Sequence, residues 1–290
     1  MMGGMIKTIL VQLTGDPSDE TTLETAYLVA RLFDSHLECL HISPDWLARA
    51  ARAAAHDVSG PLVSEEFFAS FEQEMKATRW RARRHLADFC KRRQLSVSDS
   101  KPPSGRVSVT WRELPGEPWP TMMHEARFHD LVVLAQHETI NDLGALILNA
   151  GRPVLIAPAR TPENLAPTIA IAWKDTAESA RAITAAMPLL AKADLILVLS
   201  VEDGSGPAAT MESAERAAQQ LRWHGLNAEA IYVNAGDRSV VEAITKSARD
   251  NKADLIVSGG YGHSRLRELV LGGVTRDLLR ESLLPRFFFH

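Results

Sequence analysis

The amino-acid sequence predicts an α/β protein made of two tandem units, each with a five-stranded parallel sheet flanked by helices. Short apolar runs alternate with segments of helical periodicity along the 290 residues, which is typical of parallel sheets covered on both faces. The runs also repeat in order. Residues 8–11, 35–40, 129–133 and 151–156 correspond to residues 168–171, 193–198, 253–257 and 283–288.

In the second half, the pattern predicts strands near residues 168–173, 194–201, 228–233, 254–258 and 284–289, and helices near 176–191, 208–224, 237–249 and 273–281. The first of these helices has apolar residues at helical spacing, namely Ala177, Ala180, Ile183, Ala186 and Leu190. Gly225 follows the second helix where a C-cap glycine would lie. Pro162 and Pro167 flank the expected linker, so we expect domains at residues 1–160 and 166–290.

The first half is longer, and its second helix is predicted to extend over residues 64–93. The apolar stripe of this helix consists of Phe67, Phe71, Met75, Thr78, Ala82, Leu86 and Phe89. An Ala/Arg-rich segment at residues 46–55 is also expected to be helical, and residues 97–105 are expected to form a loop. The basic run between Arg79 and Arg93 alternates with apolar positions, which indicates a solvated helix face rather than a nucleic-acid site.

A glycine-rich stretch near the C-terminus gives the clearest functional signal. The expected strand at 254–258 runs into Gly259, Gly260 and Gly262, and a second pair, Gly272 and Gly273, precedes an expected helix. Backbone N–H groups at such a helix N-terminus, together with the helix dipole, favour an anion, and glycine permits close approach to the backbone. The stretch therefore predicts a phosphate-bearing ligand, with a plain surface loop as the alternative.

Composition and charge exclude several functional classes. The formal net charge is −4, which argues against a general nucleic-acid binder. Cys39 and Cys90 have no metal-ligand spacing, so we expect reduced packing thiols and no metal site. No signal-peptide h-region and no apolar run long enough to span a bilayer is visible. These observations predict a cytoplasmic protein without a membrane partner.

The glycine spacing is similar to that of a known family. Gly259-x2-Gly262-x9-Gly272, placed after the fourth strand of a βα repeat and before Val274-Thr275, resembles the phosphate loop of universal stress proteins in their tandem two-domain form. The resemblance is strong over residues 168–290 and weak over residues 6–158. It implies an adenine-nucleotide alpha-hydrolase-like, Rossmann-like fold in each half, and a role as a nucleotide-binding protein of the stress response.

The resemblance also implies a set of contacts to ATP or AMP, with or without Mg²⁺. The adenine and ribose would lie against Ala172, Lys174 and Val201. The phosphates would meet the loop and the helix that follows it, at Gly259, Gly262, Gly272, Gly273, Val274 and Thr275. Thr275 could donate its hydroxyl to a phosphate or ligate the metal ion. His263 and Arg265 could add positive charge at the mouth of the nucleotide-binding site, with a plain surface role as the alternative for His263.

The chain departs from the family pattern at two of these positions. Lys174 stands where the family often has an acidic residue beside the ribose, although Asp175 could substitute for it. Gly273 replaces a Ser or Thr. The first half lacks the spaced glycine loop at residues 135–144, where Gly144 is the one glycine, and Glu138 and Asp142 would repel phosphates there. We therefore expect one nucleotide site, in the second half, and a degenerate first half.

The sequence leaves three functions open: a nucleotide-binding regulator, a ligand-free interaction scaffold, and a weak ATP hydrolase. No Gly-x-Ser-x-Gly elbow, Walker A sequence or HExxH motif is present, so catalysis beyond slow hydrolysis is not expected. Residues 286–290 resemble an aromatic-rich edge strand, and an exposed edge favours pairing. By the family resemblance, the fifth strands of the two halves would pair with each other, and a homodimer of chains is a further expectation.

Overall fold

The computed structural model describes residues 5–44, 65–98, 105–136, 140–202, 206–260, 273–280 and 283–290. The described residues contain one ten-stranded sheet with helices on both faces. Its strands are β1 (Thr8–Gln12), β2 (His36–Ser43), β3 (Ser108–Pro115), β4 (Leu131–Leu134), β5 (Val154–Ile156), β6 (Thr168–Trp173), β7 (Leu195–Val201), β8 (Ala228–Val233), β9 (Leu255–Gly259) and β10 (Arg286–Phe289). Its helices are α1 (Asp19–Phe33), α2 (Glu65–Arg93), α3 (Pro118–Ala126), α4 (Ile140–Asn149), α5 (Ala177–Leu190), α6 (Pro207–Trp223), α7 (Val240–Asp250) and α8 (Gly273–Arg280).

The strand order is β3-β2-β1-β4-β5-β10-β9-β6-β7-β8. Each half contributes a parallel block of five strands with the same internal order. The two blocks join through β5 and β10, which pair antiparallel with Phe287 opposite Leu155. The sheet therefore has one antiparallel step at its centre and parallel pairing on either side.

For the second half taken alone, the aromatic run at 286–290 suggested an edge strand. In the assembled sheet, this strand is not an edge. β10 lies between β5 and β9, and Phe287 and Phe288 are fully buried. The edges are β3 and β8. The expected edge is removed because the first half supplies β5 as a partner for its backbone groups.

The predicted elements of the second half match the structure closely, the largest difference being at α7, which begins at Val240 rather than near residue 237. Gly225 has φ +77° and closes α6 as a C-terminal cap: its N–H donates to Arg222 O, and the Leu226 N–H donates to Leu221 O. The stripe predicted for α5 was partly wrong. Ala177 and Ala180 are exposed, because a small side chain fits either face of a helix and does not fix its rotation.

The long helix of the first half extends over Glu65–Arg93, close to the predicted bounds. Ala82, Leu86 and Phe89 form its buried stripe against the sheet. Residues 46–55 and most of the predicted loop at 97–105 lie outside the described residues. Val97, at the start of that segment, forms an isolated bridge with Val109 of β3.

Most arginines on the basic face of α2 form ion pairs with carboxylates. Arg79 contacts Glu113 at 2.8 Å, and Arg93 contacts Glu24 at 2.6 Å. Other arginines of α2 pair with Glu74, Asp88 and Glu20. These contacts support the interpretation of the basic run as a solvated, ion-paired face.

Apolar clusters cover both faces of the sheet and extend across the junction between the halves. One cluster contains Ile9 and Val11 of β1 together with Ile169 and Ile171 of β6. On the opposite face, Leu10 of β1 belongs to a cluster that also contains Leu278 and Leu279 of α8. Helix α8 of the second half therefore packs on the first half. Among the described residues, no helix is both long enough and apolar enough to cross a membrane.

Candidate functional site

The carboxyl ends of three strands frame the predicted site in the second half. β6, β7 and β9 run parallel in adjacent positions and end at Trp173, Val201 and Gly259. Ligands of open α/β sheets bind at this edge, outside the carboxyl ends of the strands. Helix α8 begins at Gly273, after the segment 261–272, which lies outside the described residues.

The structure brings some predicted contact residues together. Ala172 is 8% exposed and belongs to an apolar cluster against which the half-buried Val201 packs. Lys174 follows β6 and is exposed. The first turn of α8 contains Gly273, Val274 and Thr275. The side chains of these residues lie outside the part of the chain that the structure describes. The remaining predicted positions, Gly262, His263 and Gly272, fall outside the described residues.

Two glycines of the predicted loop have structural reasons to be glycine. A Cβ added at Gly259 would lie 2.7 Å from the backbone of Glu178 and Ser179, at the start of α5. A Cβ at Gly260 would lie 2.8 Å from the Cγ2 methyl group of Ile147 in α4. Strand β9 can therefore approach α5 only without a side chain at Gly259, whereas a side chain at Gly260 would require Ile147 to move.

The backbone N–H and carbonyl groups of Gly260 form hydrogen bonds with the C-terminal residues. Its N–H donates to Phe289 O at 2.8 Å, and its carbonyl accepts a hydrogen bond from His290 Nδ1 at 2.9 Å. Gly260 N–H is therefore not available to an anion. Any phosphate at this edge would have to be bound by later residues and by the N-terminus of α8.

The connection from β6 to α5 is fixed by local hydrogen bonds. Thr176 caps α5 by accepting a hydrogen bond from Ser179 N at 3.3 Å, and Thr176 N donates to Lys174 O at 2.8 Å. The indole N–H of Trp173 donates to Ser213 Oγ of α6 at 3.0 Å. The Trp173 side chain therefore connects the end of β6 to α6.

The C-terminal end of α8 is held by residues that sequence reasoning missed. Arg286 is fully buried, and its Nη1 donates to Leu278 O at 2.6 Å. Gln136, which follows β4 of the first half, donates from Nε2 to Arg280 O at 2.9 Å, and its Oε1 accepts from Arg286 Nη2 at 3.3 Å. A cation and an amide thus satisfy the last carbonyls of the helix. The only sequence signal for this network was an arginine within an otherwise apolar strand.

The equivalent edge of the first half contains a cavity of about 350 Å³, which the sequence did not predict. It lies outside the carboxyl ends of β1 and β2, under the N-terminal part of α2 and beside the start of α3. Its lining is formed by Gln12, Leu13, Thr14, His41, Ile42, Ser43, Pro44, Phe71, Glu74, Met75, Thr78, Pro118 and Trp119. The signal that could have found it is the stripe Phe71, Met75 and Thr78, which continues α2 beyond its fully buried section.

A buried carboxylate accepts hydrogen bonds from the backbone amides next to this cavity. Asp19 is 1% exposed, and it accepts hydrogen bonds from Thr14 N and Gly15 N, both at 2.9 Å. His85 Nδ1 of α2 lies 3.0 Å from the same carboxylate. These amides are the donors that an anion at the end of β1 would need, so the first half does not offer them to a phosphate.

No group of three His, Cys, Asp or Glu side chains that could hold a metal ion occurs within the described part of the chain. Both cysteines are buried free thiols. Burial raises the pKa of Cys90 to about 11 and raises that of Cys39 well above its usual value. Since the thiolate is the reactive and metal-binding form, both thiols act as packing groups at neutral pH.

Comparison with known proteins shows what the second half is similar to. Residues 167–285 match the model of the universal stress protein family. The universal stress protein Slr1230 of Synechocystis is 44% identical over 48 residues, a stretch that spans 17% of this chain and 17% of that protein.

Solved structures show that the fold similarity extends over both halves. A universal stress protein from Archaeoglobus fulgidus superposes with a TM-score of 0.70 at 11% identity, covering 98% of this chain and 96% of that chain. A Pseudomonas aeruginosa protein of unknown function, PA1789, gives a TM-score of 0.59 at 14% identity, covering 98% of this chain and 92% of that chain. At these identities the similarity establishes the fold of the tandem halves, and it confirms the predicted α/β class.

Proposed function

We propose that the protein is a nucleotide-binding regulator of the stress response, with one ATP or AMP bound in its universal stress protein domain. The observations that carry this proposal are the three adjacent parallel strand ends, β6, β7 and β9, and the Gly-x2-Gly-x9-Gly sequence that begins at the end of β9 and runs to the start of α8. Such an edge accepts a flat base on an apolar floor and phosphates at the helix N-terminus.

Each part of the nucleotide has a proposed contact. Ala172 and Val201, which share an apolar cluster, would pack against the adenine. Lys174 or Asp175, both exposed after β6, would lie near the ribose. Since Gly259 and Gly260 are explained by packing against α5 and α4, the phosphates would be bound by the later glycines, His263 and the first turn of α8, with Thr275 donating its hydroxyl group.

The proposed regulatory effect follows from the position of α8. A phosphate at the N-terminus of this helix would stabilise it through the helix dipole. Leu278 and Leu279 pack on the first half, and Gln136 of the first half contacts the last turn. Nucleotide binding would therefore alter the surface shared by both halves, where a partner could respond to it.

The first test is to denature freshly purified protein and identify any released nucleotide by chromatography and mass spectrometry. We expect about one ATP, ADP or AMP per chain. Two per chain would show that the first half also binds nucleotide. If none is released and calorimetry detects no binding of Mg-ATP, the regulator proposal is wrong and the ligand-free scaffold is favoured.

The second test is Thr275→Ala, with Thr184→Ala as the matched control. Thr184 is exposed on α5, and its hydroxyl donates only to Ala180 O within its own helix. Loss of a hydrogen bond to a charged phosphate should weaken Mg-ATP binding about tenfold in the Thr275 variant and leave the control unchanged. Turnover that Thr275→Ala abolishes would favour the weak hydrolase instead.

A further inference from the structure

A second cavity, of about 220 Å³, lies at the junction between the two halves. Three segments line this junction cavity: the linker between Pro158 and Asn164, the pair Ala253 and Asp254 before β9, and residues 283–285 before β10. These segments lie at the amino ends of β9 and β10. The proposed nucleotide site lies at the opposite edge of the second half, outside the carboxyl ends of its strands.

The path of the linker explains why this cavity exists. Ile156 at the end of β5 lies opposite Arg286 at the start of β10, because these two strands are antiparallel. The linker, residues 157–167, therefore passes the amino ends of β10 and β9 before it enters β6. That distance is three strand spacings, or about 14 Å, whereas a linker of this length can extend to about 36 Å. The linker is thus long enough to arch away from the strand ends and to leave a space beneath it.

Asp254 is the least exposed charged residue of the junction cavity. It is partly buried, whereas Arg160 and Glu163, the other charged residues of the lining, are exposed. Its Oδ2 atom accepts a hydrogen bond from Thr168 N at 2.9 Å. Its Oδ1 atom accepts none from the residues that the structure describes, and this atom is not enclosed by protein. Asp254 therefore presents an unused acceptor that a ligand can reach.

The equivalent aspartate of the first half shows which donors Asp254 lacks. Asp130 Oδ2 accepts hydrogen bonds from Lys7 N at 2.8 Å, Thr8 N at 3.0 Å and Thr8 Oγ1 at 3.2 Å. In the second half, Pro167 stands at the position of Lys7, and proline has no N–H group. Burial raises the pKa of Asp254, because its one backbone hydrogen bond offsets only part of the desolvation. Further donors would stabilise this carboxylate.

The lining favours a small cation with an apolar body. The carboxylates of Asp254 and Glu163 and the guanidinium of Arg160 leave one net negative charge. Solvent screens the two exposed groups more than it screens the partly buried Asp254. Leu284 and Pro285 provide apolar surface in the same cavity. The volume equals that of about seven water molecules, at about 30 Å³ each, so the ligand has to be small.

We propose that the junction cavity binds a small primary amine in its ammonium form, with the N–H groups donating to Asp254 and the alkyl part against Leu284 and Pro285. An ammonium group has three donors, and its hydrogen bonds to a carboxylate are charge-assisted. It supplies both the charge and the donors that Asp254 lacks. The proposal does not depend on nucleotide binding at the opposite edge of the second half.

The test compares isopentylamine with isopentyl alcohol, a neutral probe of the same shape. Binding is followed through the ¹⁵N–¹H resonance of Thr168, whose N–H donates to Asp254, at constant pH and with NaCl keeping the ionic strength constant. We expect the amine to bind at millimolar concentration and about tenfold more tightly than the alcohol. If the amine does not shift this resonance, or if the alcohol binds equally well, the proposal is wrong.

The role of the carboxylate is tested with Asp254→Asn, which removes the charge and keeps an oxygen that can accept from Thr168 N. The matched control is Asp130→Asn, at the equivalent position of the first half and outside the lining of the junction cavity. We expect the preference for the amine to disappear in the Asp254 variant and to persist in the control. A preference that survives Asp254→Asn excludes this ion pair, and the proposal fails.

Pro167→Ala tests the unused acceptor while Asp254 stays charged, and it serves also if Asp254→Asn does not fold. The variant restores an N–H that can donate to the carboxylate, as Lys7 N donates to Asp130. We expect the amine to bind about threefold more weakly, because the new donor competes with it. Pro207→Ala, at an exposed position that begins α6, is the control and should bind like the wild-type protein. Unchanged or tighter binding in Pro167→Ala would overturn the proposal.

Discussion

At the scale of single residues, a partly buried polar cluster formed by β2, β3, α3 and the residue His129 shows how charges are placed in this fold. Arg112 contacts both Glu38 and Glu125, the latter at 2.8 Å, and His129 Nε2 lies 3.6 Å from Glu38. Burial alone would raise the pKa of Glu38, but His129 and Arg112 lower it. Burial alone would lower the pKa of His129, but the carboxylate of Glu38, the hydrogen bond from Nδ1 to the Glu125 carbonyl and the Glu125 carboxylate raise it.

These two shifts have opposite consequences for stability. The raised pKa of His129 contributes stability that is fully present below its ordinary pKa of 6.5 and is lost as the pH rises through the folded value. The lowered pKa of Glu38 contributes stability above its ordinary pKa of 4.5, which is lost as the pH falls through the folded value. Both contributions are present together between those two ordinary values.

We therefore expect His129→Gln to be most destabilising between about pH 4.5 and about pH 6.5, and less so as the pH rises further. Urea unfolding of the variant and the wild-type protein at a series of pH values gives this difference directly. His224→Gln, at an exposed histidine after α6, is the control and should show no such dependence. A constant loss at all pH values would contradict the linkage between His129 and Glu38.

At the scale of secondary-structure elements, the end of β9 shows that one glycine sequence can serve packing and binding together. Gly259 faces the backbone of α5, which cannot move without shifting the helix, whereas Gly260 faces a side-chain methyl of Ile147. The sequence alone predicted phosphate contact for Gly259. It could not show that a helix from residues 177–190 would lie against this glycine, because that contact is long-range.

We expect Gly259→Ala to lower the free energy of unfolding by about 1–3 kcal/mol, because a Cβ would clash with rigid backbone. Gly260→Ala should cost less, since the Ile147 side chain can rotate away. Urea unfolding of both variants checks the order. If Gly260→Ala is the more destabilising change, the contact with α5 is not what requires glycine at position 259.

At the scale of the whole molecule, the antiparallel pairing of β5 with β10 makes one sheet from two similar halves. It buries Phe287 and Phe288 and leaves β3 and β8 as the edges. Leu278 and Leu279 of α8 pack in a cluster with first-half residues. Each half therefore supplies a strand that pairs with the other half and side chains that cover its apolar surface. Separation of the halves would expose the edges of β5 and β10 and the apolar face of α8.

The second half expressed alone, as residues 166–290, should consequently self-associate. Removal of the first half exposes β10 as an aromatic edge strand and uncovers the apolar face of α8. Sedimentation measurements should show dimers or larger species for the fragment, compared with the full chain at the same concentration. A folded, monomeric fragment would contradict the role assigned to the β5–β10 junction.

The sequence by itself determined the order and type of the elements and the resemblance of the second half to the universal stress proteins. Strand and helix periodicities are local properties, and the cap at Gly225 and the spacing of Gly259, Gly262 and Gly272 are contained in short segments. This explains why the second-half elements and the ends of α2 were predicted to within a few residues. It also explains the error at Ala177 and Ala180, since alanine carries little information about which face is buried.

Only the tertiary structure decided how distant segments meet. It placed Gln136 of the first half and Arg286 of the second at the last turn of α8, and it put Gln12 under Met75 beside an open cavity. Such contacts depend on the sheet order and on the overhang of α2, which no local pattern encodes. For this reason the sequence of the first half, which lacks the family's glycine loop, gave no sign of the cavity that the fold forms at the ends of β1 and β2.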